Sequence, residues 1–272
     1  MRHLAVRIKI TATTDRPASF PFNYQYPLQA AIYSLIRESS SDYSTFLHEQ
    51  GYIKDGIDRV FKFFTFSKLK FSPKLRGKTG FDNVRQIEFI FSTIVEESLR
   101  HMILGIFSDR EMHLRINGKG LKLTIVNVDV LEELVFSGKE KFICLSPIAV
   151  SIMIENHKGR TVPHFLNYMV PRERDRFAEN IKNNLVNKYE TLHNTSYDNR
   201  EHPFSFHFDP IYISKKNGTI SKLISFKNDI KIKAMEAPFT VEADPDLIKI
   251  GYECGWGEKN SAGFGCTEPI RA

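Results

Sequence analysis

The stretch that decides the fold assignment is Gly255-Trp-Gly-Glu-Lys-Asn-Ser-Ala-Gly-Phe-Gly265, called the glycine loop below. Glycine permits positive φ angles and lets backbone amides approach a ligand closely, and a run of such amides after a helix can form a concave anion site. Lys259 and Ser261 add a positive charge and a hydroxyl suited to phosphate. The loop is therefore predicted to contact phosphate through Lys259, Ser261 and four glycines, Gly255, Gly257, Gly263 and Gly265. A plain helix-to-strand turn is the alternative.

Two common phosphate-binding loops do not fit this stretch. A Walker loop would need a Gly-Lys-Ser/Thr sequence, which is missing here. A dinucleotide-binding loop follows a first strand, whereas this loop lies between a helix predicted at 244–252 and a short strand predicted at 266–270.

The N-terminal half alternates between strand and helix patterns. Residues 3–12 alternate apolar and polar side chains, which predicts a half-buried strand. Pro27 suits the first turn of a helix, and a helical stripe of apolar residues follows it. A serine run ends this helix and caps a second one at 43–50, which Gly51 stops. Further predictions are strands at 61–66, 68–71, 86–94, 112–116 and 122–130, and a helix at 95–107.

The second half repeats this order without obvious sequence similarity. Strands are predicted at 142–154, 204–208, 222–232 and 239–241, and a long amphipathic helix at 171–192. The order in each half is typical of a ferredoxin-like unit. We therefore predict an α+β fold with two tandem ferredoxin-like (RRM-like, βαββαβ) domains, at residues 1–133 and 134–272. No Pro- or Ser-rich linker separates them, so we expect the two halves to pack against each other.

The spacing of the glycine loop resembles the C-terminal signature of the CRISPR-associated RAMP proteins. Within that superfamily, the N-terminal half resembles the CRISPR repeat-processing endoribonucleases, the sixth Cas protein family. The matching stretches are Tyr26-Pro-Leu-Gln29, Phe46-Leu-His-Glu-Gln-Gly-Tyr52 and Pro245-Asp-Leu-Ile248. Between about residues 70 and 240, the match rests only on the pattern of predicted helices and strands. The resemblance implies a metal-independent endoribonuclease that needs no cofactor and cleaves precursor CRISPR RNA within its repeats.

RNA can be cleaved without a metal when the 2′-hydroxyl attacks the adjacent phosphate. The products are a 2′,3′-cyclic phosphate and a 5′-hydroxyl. The reaction needs a general base, a general acid and a positive group that stabilises the phosphorane charge. Histidine suits either proton role, because its reference pKa of about 6.5 lies close to neutral pH.

Three residues of the N-terminal half are the catalytic candidates. His48 is predicted at the outer edge of the second helix, Lys54 lies beyond Gly51, and Tyr33 lies roughly opposite the buried stripe of the first helix. The resemblance implies that His48 transfers a proton as base or acid, that Tyr33 orients or deprotonates the 2′-hydroxyl, and that Lys54 stabilises the transition state. A surface histidine, a packing tyrosine and a solvated lysine are the alternatives.

Other histidines point to weaker hypotheses. His157 and His164 lie in a predicted loop at 156–164, which we interpret as exposed or RNA-contacting rather than catalytic. His48-Glu49 begins like the zinc-protease motif HExxH, but Tyr52 stands where the second histidine should be, which excludes that class.

A basic stretch at residues 68–78 is the second predicted RNA-binding feature. Its five basic residues are Lys68, Lys70, Lys74, Arg76 and Lys78, and it contains no acidic residue. Such a stretch can follow phosphates, with a solvated hairpin as the alternative. Lys215, Lys216, Lys227, Lys231 and Lys233 form a second basic zone. The aromatic octapeptide of RNA-recognition motifs is absent, so we expect RNA to bind a groove between the domains rather than an open sheet.

Composition and charge agree with an RNA-binding protein. The net charge of +6 favours a polyanionic partner. The N-terminus lacks the apolar core of a signal peptide, no apolar run could span a bilayer, and three cysteines without a CxxC pair fit a reducing compartment. We predict a cytoplasmic, prokaryotic protein that binds repeat RNA as precursor and product but no membrane, acts as a monomer or homodimer, and has CRISPR effector subunits as further candidate partners.

Two other functions remain open at this point. One is a catalytically inactive relative that holds repeat RNA as a subunit of an effector complex. The other is a backbone RAMP subunit, which would be expected to lack the motif around His48. That motif is intact here.

Overall fold

The computed structural model describes residues 6–116, 118–198, 203–226 and 230–271. The N-terminal half contains strands β1 (Val6–Pro21), β2 (Tyr52–Lys54), β3 (Ile57–Phe61), β4 (Phe64–Phe66), β5 (Lys70–Ser72), β6 (Leu75–Arg76), β7 (Gly80–Thr93), β8 (Glu111–Ile116) and β9 (Lys119–Val130). Its helices are α1 (Gln25–Ser39), α2 (Ser41–Thr45), which continues into a π-helical turn at Phe46–Gln50, and α3 (Glu96–Asp109).

Seven of these strands form one antiparallel sheet with the order β4-β7-β1-β9-β8, in which β5 and β6 also pair with β7. The strands β1, β4, β7 and β9 correspond to the first, second, third and fourth strands of a βαββαβ unit. Across the sheet they follow the order second, third, first, fourth, as in a ferredoxin-like domain. The apolar side chains of β1, including Ile8 and Ile10, are fully buried in a core shared with α1. The hairpin β2–β3 lies outside this sheet.

The C-terminal half contains strands β10 (Lys139–Cys144), β11 (Ser151–Glu155), β12 (Thr161–Phe165), β13 (Ser205–Phe208), β14 (Ser221–Ser225), β15 (Lys231–Met235), β16 (Phe239–Glu242) and β17 (Thr267–Pro269). Its helices are α4 (Pro171–His193), α5 (Pro210–Lys215) and α6 (Pro245–Cys254). The sheet order β13-β16-β10-β17 again corresponds to second, third, first, fourth. Two hairpins, β11–β12 and β14–β15, are insertions into this unit.

The predicted α+β fold of two ferredoxin-like units is therefore confirmed. Residues 131–138 connect the last strand of one sheet to the first strand of the other, and the domain boundary at 133/134 stays a prediction. Residues 3–5 of the first predicted strand, as well as Lys227, lie outside the described residues.

Several local features differ from the predictions. The strand predicted at 142–154 is two strands of different sheets, β10 and β11. The predicted loop at 156–164 is mostly a hairpin, because β11 and β12 pair in register from Ser151↔Phe165 to Glu155↔Thr161. The single strand predicted at 222–232 is two antiparallel strands, β14 and β15, which pair from Ser221↔Met235 to Ser225↔Lys231. Helix α5 was missed because it is short and buries no residue fully; Asp209 caps it by accepting hydrogen bonds from the amides of Ile211 and Tyr212.

A buried arginine ties the two halves together. Arg7 of β1 is 3% exposed, and its guanidinium lies 3.9 Å from the ring centre of Tyr252 on α6. It donates hydrogen bonds to the carbonyl oxygens of Tyr252 and Thr267. These contacts join β1 of one half to α6 and β17 of the other, so the two halves pack in a defined orientation, as expected.

The cysteines and helices bear on the predicted environment. Cys144, Cys254 and Cys266 are free thiols, and the last two are buried. Within residues 6–116, 118–198, 203–226 and 230–271, no helix is both long and apolar enough to cross a membrane.

Candidate active site and the adjoining pocket

Tyr33 and His48 come together although they belong to different helical segments. Tyr33 lies on α1 and His48 in the π-helical turn that follows α2. Their rings meet edge to face, with 5.8 Å between the ring centres. His48 is exposed, whereas Tyr33 is half-buried and packs its other side against Phe64 of β4. The structure therefore places a solvent-accessible imidazole beside a fixed phenol.

The phenol of Tyr33 stays protonated over the physiological pH range. Burial raises the pKa of Tyr33 to about 12, and the Ser261 side chain, its hydrogen-bond partner, only partly opposes this effect. Ser261 belongs to the glycine loop, so the loop reaches the catalytic candidates through this contact. A protonated phenol can donate a hydrogen bond, but it is a poor base near neutral pH.

Lys54 is engaged elsewhere. Its ammonium lies 3.4 Å from a carboxylate oxygen of Glu190 on α4 and donates a hydrogen bond of 3.1 Å to the carbonyl of Thr195. Both partners belong to the C-terminal half. Lys54 thus ties the β2–β3 hairpin to the C-terminal half, and its partners among the described residues do not include Tyr33 or His48.

Lys62 is the basic residue that the sequence analysis missed. It follows β3, is half-buried, and donates a hydrogen bond of 3.3 Å to the carbonyl oxygen of His48. Burial lowers the pKa of Lys62 from its ordinary value. Among the described residues it has no ion-pair partner. The only local signal was its position in the predicted strand at 61–66, where nothing distinguishes it from a solvated lysine.

Gly51 makes room for this lysine. Its φ of +68° ends the π-helical turn, and a Cβ atom there would lie 2.8 Å from the Lys62 ammonium and 2.8 Å from the carbonyl oxygen of Phe61. A side chain at this position would therefore displace Lys62 or the β3 backbone.

The glycine loop is packed into the protein rather than open to solvent. Gly255, Gly257, Gly263 and Gly265 are buried, and all four have positive φ. The amides of Glu258 and Gly265 donate hydrogen bonds to the carbonyls of Ala149 and Pro147. Phe264 accepts one from Thr65 on β4 of the N-terminal half. The glycines thus allow close packing between the halves, and these amides are not free for phosphate; Lys259 is exposed and Ser261 is half-buried.

A buried lysine binds the backbone of the glycine loop. Lys188 of α4 is 2% exposed, and its ammonium donates hydrogen bonds to the carbonyls of Gly255 (2.6 Å) and Gly257 (3.3 Å) and to Oδ1 of Asn260 (2.8 Å). Burial lowers the pKa of Lys188 to about 8. Asn260 in turn donates to the carbonyls of Trp256 and Phe264. These contacts set the position of Ser261 relative to Tyr33.

A cavity of about 630 Å³, called the interdomain pocket below, adjoins the candidate site. Its walls come from both halves, namely residues 59–64 on one side and the β11–β12 hairpin, α4 and the glycine loop on the other. The described lining includes the basic residues Arg59, Lys62, Lys188 and Lys259 and a single acidic residue, Glu258. Glu258 is 2.9 Å from Arg59 and accepts a hydrogen bond from Ser151. The pocket therefore has a net positive lining suited to an anionic ligand.

The basic stretch at 68–78 divides into two parts. Lys68 forms an ion pair with Glu236 of the C-terminal half, and Lys70 lies 3.3 Å from Glu88 on the neighbouring strand β7. Lys74, Arg76 and Lys78 are exposed. The acids that neutralise the first part come from distant segments, so the stretch is less basic than its own residues suggest.

The remaining histidine and metal candidates lie apart from this cluster in the chain. His164 pairs with Glu173 of α4 at 3.2 Å, and His157 lies in the exposed turn of the β11–β12 hairpin. In the described part of the chain, one group could supply three metal ligands, namely Asp109, Glu111 and His113 at the α3–β8 turn. Glu111 already lies 2.7 Å from Lys122, and nothing in this group contacts Tyr33 or His48.

Family models match both halves of the chain. The model described as CRISPR associated protein Cas6, C-terminal, matches residues 131–269, and the model described as CRISPR-associated protein Cas6, N-terminal, matches residues 19–127. Together they cover the glycine loop as well as Tyr33, His48 and Lys54.

Curated relatives match over nearly the full chain. The chain is 33% identical over 267 residues to CRISPR-associated endoribonuclease Cas6 1 of Methanocaldococcus jannaschii, covering 96% of this chain and 91% of the relative. It is 30% identical over 256 residues to CRISPR-associated endoribonuclease Cas6 of Pyrococcus furiosus, covering 93% and 85%.

Solved structures agree with these matches. A structure titled CRISPR associated protein Cas6 superimposes with a TM-score of 0.75 at 30% identity, covering 98% of this chain and 100% of that one. A structure titled An RAMP protein binding different RNA substrates gives a TM-score of 0.75 at 18% identity, which shows the shared fold. This chain therefore belongs to the Cas6 family of CRISPR-associated proteins.

Proposed function

We propose that this protein is an endoribonuclease that cleaves precursor CRISPR RNA within its repeats, without a metal ion. The observation that carries the proposal is the contact between the exposed imidazole of His48 and the protonated, hydrogen-bonded phenol of Tyr33. Membership of the Cas6 family and two relatives named as endoribonucleases support it.

The proposed reaction is an internal transfer of the phosphoryl group. The 2′-oxygen forms a bond to phosphorus, the bond from phosphorus to the 5′-oxygen breaks, the 2′-hydroxyl proton leaves to a base, and a proton is added to the departing 5′-oxygen. His48 is the proton-transfer residue, because it is the titratable group exposed at the site. Tyr33 positions the RNA by donating its hydroxyl hydrogen, since its raised pKa makes it a poor base.

Lys62 is proposed as the positive group nearest the reaction. It contacts the His48 backbone and has no acidic partner among the described residues. The resemblance assigns this role to Lys54, whose ion pair with Glu190 supports a structural role in this chain. A charge already neutralised by a neighbour contributes less to the stabilisation of a phosphorane than a free charge.

RNA is proposed to reach the site along the groove between the halves. Exposed basic residues near that groove support this path, namely Lys259 of the glycine loop and Lys74, Arg76 and Lys78 of the basic stretch. We also propose that the product passes to CRISPR effector subunits and that the protein acts in the prokaryotic cytoplasm, where precursor RNA is made.

Cleavage of a repeat RNA in EDTA is the primary test. The wild type is expected to cut a single phosphodiester and leave a 2′,3′-cyclic phosphate, and a 2′-deoxy substitution at the scissile nucleotide should abolish cutting. His48→Ala should lower the rate by about 100-fold or more, while binding of the 2′-deoxy RNA persists. A metal requirement or cleavage of the 2′-deoxy RNA would refute the mechanism, and binding without cleavage would indicate an inactive RNA-holding relative.

Two further measurements resolve the roles. A 5′-phosphorothiolate leaving group needs no proton, so rescue of His48→Ala by this substrate would assign His48 as the acid, and absence of rescue would assign it as the base. Lys62→Met is expected to slow single-turnover cleavage more than Lys54→Met at equal folded fraction. The opposite order would return the charge-stabilising role to Lys54.

A further inference from the structure

The one acidic residue in the described lining of the interdomain pocket is paired with a pocket arginine. Glu258 of the glycine loop accepts a hydrogen bond of 2.9 Å from Nη1 of Arg59 and one of 2.6 Å from the hydroxyl of Ser151. Arg59 lies on β3 of the N-terminal half, so the ion pair joins one wall of the pocket to the other. The side chains of Arg59 and Glu258 are 39% and 15% exposed, so both charges are accessible.

The surroundings of this carboxylate are those that a phosphate needs. A guanidinium donates to one oxygen of Glu258 and a hydroxyl donates to the other. The same two donor types bind the phosphates of nucleic acids. Lys62 and Lys259 line the same pocket and add positive charge. A phosphate drawn into the pocket therefore competes with Glu258 for Arg59.

The ion pair is weak enough for this exchange. It uses one nitrogen of the guanidinium, which has no second hydrogen-bond partner among the described residues. Partly exposed ion pairs contribute little to stability, because water and salt screen both charges. A phosphate can instead bind the planar guanidinium of Arg59 through two parallel hydrogen bonds, which are stronger. The balance therefore favours the phosphate.

Glu258 keeps other partners when Arg59 leaves. The hydroxyl of Ser151 still donates to its carboxylate. Burial lowers the pKa of Lys188 and the Glu258 carboxylate raises it, so these two charges lie close enough to attract each other. The Glu258 amide is held by the carbonyl of Ala149. The exchange therefore leaves no buried charge without a partner.

We propose that Arg59 binds a phosphate of the RNA strand that enters the interdomain pocket, and that Glu258 holds Arg59 in the free protein and releases it to this phosphate. This inference rests on the proposed function. Lys62 lines the same pocket and contacts the backbone of His48, so the phosphate is expected close to the cut. Glu258 is thus an internal competitor of the RNA, and its removal should tighten binding.

The test measures equilibrium binding of the CRISPR repeat RNA of the source organism, with 2′-deoxy at the scissile nucleotide so that it is not cut. The variants are Arg59→Met, Glu258→Gln and the double substitution. Glu258→Asp keeps the net charge but shortens the side chain, which weakens its contact with Arg59. Glu242→Gln is the matched control, because Glu242 pairs with Lys139 at 3.2 Å outside the described pocket lining. Thermal unfolding of each variant establishes the temperature at which all are folded.

Glu258→Gln is expected to bind the RNA about two- to fivefold more tightly, the gain from removing a competing, partly exposed ion pair. Glu258→Asp should change affinity in the same direction. Glu242→Gln should bind as the wild type does, since charges farther apart than about 8 Å are screened at about 0.15 M salt.

Arg59→Met should weaken binding. It should also reduce the slope of log Kd against log salt concentration by about 0.7, the value for one phosphate contact on a single strand. The gain from Glu258→Gln should be largely lost in the Arg59→Met background. A neutral methylphosphonate, placed in turn at each phosphate around the cut, should weaken binding by the wild type at one position where Arg59→Met is insensitive.

Three results would overturn the inference. The first is an unchanged affinity and salt slope in Arg59→Met, which would mean that Arg59 contacts no phosphate. The second is weaker or unchanged binding by both Glu258→Gln and Glu258→Asp, which would mean that Glu258 does not compete with RNA. The third is an equal gain from Glu258→Gln with and without Arg59, which would reduce the effect to long-range charge. If Glu258→Gln folds poorly, Glu258→Asp decides the second point, because it keeps the negative charge beside Lys188.

The outcomes also separate this inference from the proposed function. If the wild type cuts the repeat and Arg59→Met binds it equally well, the inference fails and the endoribonuclease proposal stands. If the wild type binds the repeat without cutting it, the endoribonuclease proposal fails and the same variants still decide the role of Arg59. If the wild type neither binds nor cuts, both fail.

Discussion

Substitution of Gly51 by alanine tests the geometry on which the candidate site depends. Gly51 has φ +68° and ψ −167°, a combination that is almost restricted to glycine. A Cβ atom would also lie 2.7 Å from Cγ1 of Val60, 2.8 Å from the Lys62 ammonium and 2.8 Å from the carbonyl oxygen of Phe61. The alanine is therefore both strained and crowded.

The two effects can be given magnitudes. Backbone strain of this kind costs about 1–3 kcal/mol, and overpacking costs about 1–3 kcal/mol more. The sum, about 2–6 kcal/mol, is a large part of a typical folding free energy of about 5–15 kcal/mol. For a chain of this length it corresponds to a decrease of roughly 10 °C in unfolding temperature.

The effect on activity is expected to exceed the effect on folding. Because Lys62 must move, its hydrogen bond to the His48 carbonyl is lost, and a displacement of about 1 Å at a catalytic group can cost about 100-fold in rate. The assay is single-turnover cleavage of repeat RNA, well below the unfolding temperature of both proteins, together with thermal unfolding followed by circular dichroism.

Gly56→Ala is the matched control. Gly56 lies between β2 and β3 and has φ +81°, but a Cβ atom there would meet nothing within 4 Å. It should therefore lose only the conformational contribution of about 1–2 kcal/mol and cleave at nearly the wild-type rate. Equal destabilisation by both substitutions, or wild-type cleavage by Gly51→Ala, would refute the reasoning about Lys62 and His48.

Three other substitutions test the buried groups. Burial raises the pKa of Glu253 from its ordinary value of 4.5 to about 8. The folded state thus binds more protons between these values, and stability falls as pH rises through this window. Glu253→Gln should make the unfolding free energy less dependent on pH between about 4.5 and 8, which denaturant titrations at several pH values can measure. If the unfolding free energy of the variant changed with pH as steeply as that of the wild type, the pKa shift assigned to Glu253 would be wrong. Tyr33→Phe should slow cleavage by about tenfold, the equivalent of one hydrogen bond. The shape of the pH–rate profile below pH 10 should stay the same. If the substitution removed an inflection from this part of the profile, Tyr33 would be acting as a base. Lys188→Met leaves the Gly255, Gly257 and Asn260 acceptors without their donor and should lower stability by about 2–4 kcal/mol; thermal unfolding that matches the wild type would show that these contacts do not hold the glycine loop.

Much of the fold could be predicted from the sequence because the signals are local. The alternation in β1, the helical stripe of α1 and the pattern of α4 each depend on neighbouring residues. Helices α1 and α4 appear in the structure at close to the predicted bounds, whereas β1 continues to Pro21, beyond the predicted end at residue 12. The strands β14 and β15 were predicted as one strand, because apolar residues such as Ile224 and Ile232 keep the same even spacing in both, and periodicity alone does not show where one strand ends.

The candidate site was only partly predictable. His48 at the outer edge of its helical turn follows from which neighbours are apolar, and its exposure agrees with that expectation. The pairing of Lys54 with Glu190 joins residues 136 positions apart, and that of Lys68 with Glu236 joins residues 168 apart. No local pattern contains such partners, so the loss of free charge at Lys54 and Lys68 could not be foreseen.

The sequence by itself determined the fold class, the family and the position of His48, since periodicity and the spacing of the glycine loop act over short distances. Only the tertiary structure decided what the glycines do. Their positive φ and missing side chains allow the loop to pack between the two halves, where Lys188 holds it and Ser261 reaches Tyr33. The same packing creates the interdomain pocket, because a cavity between two domains exists only once both have folded and docked.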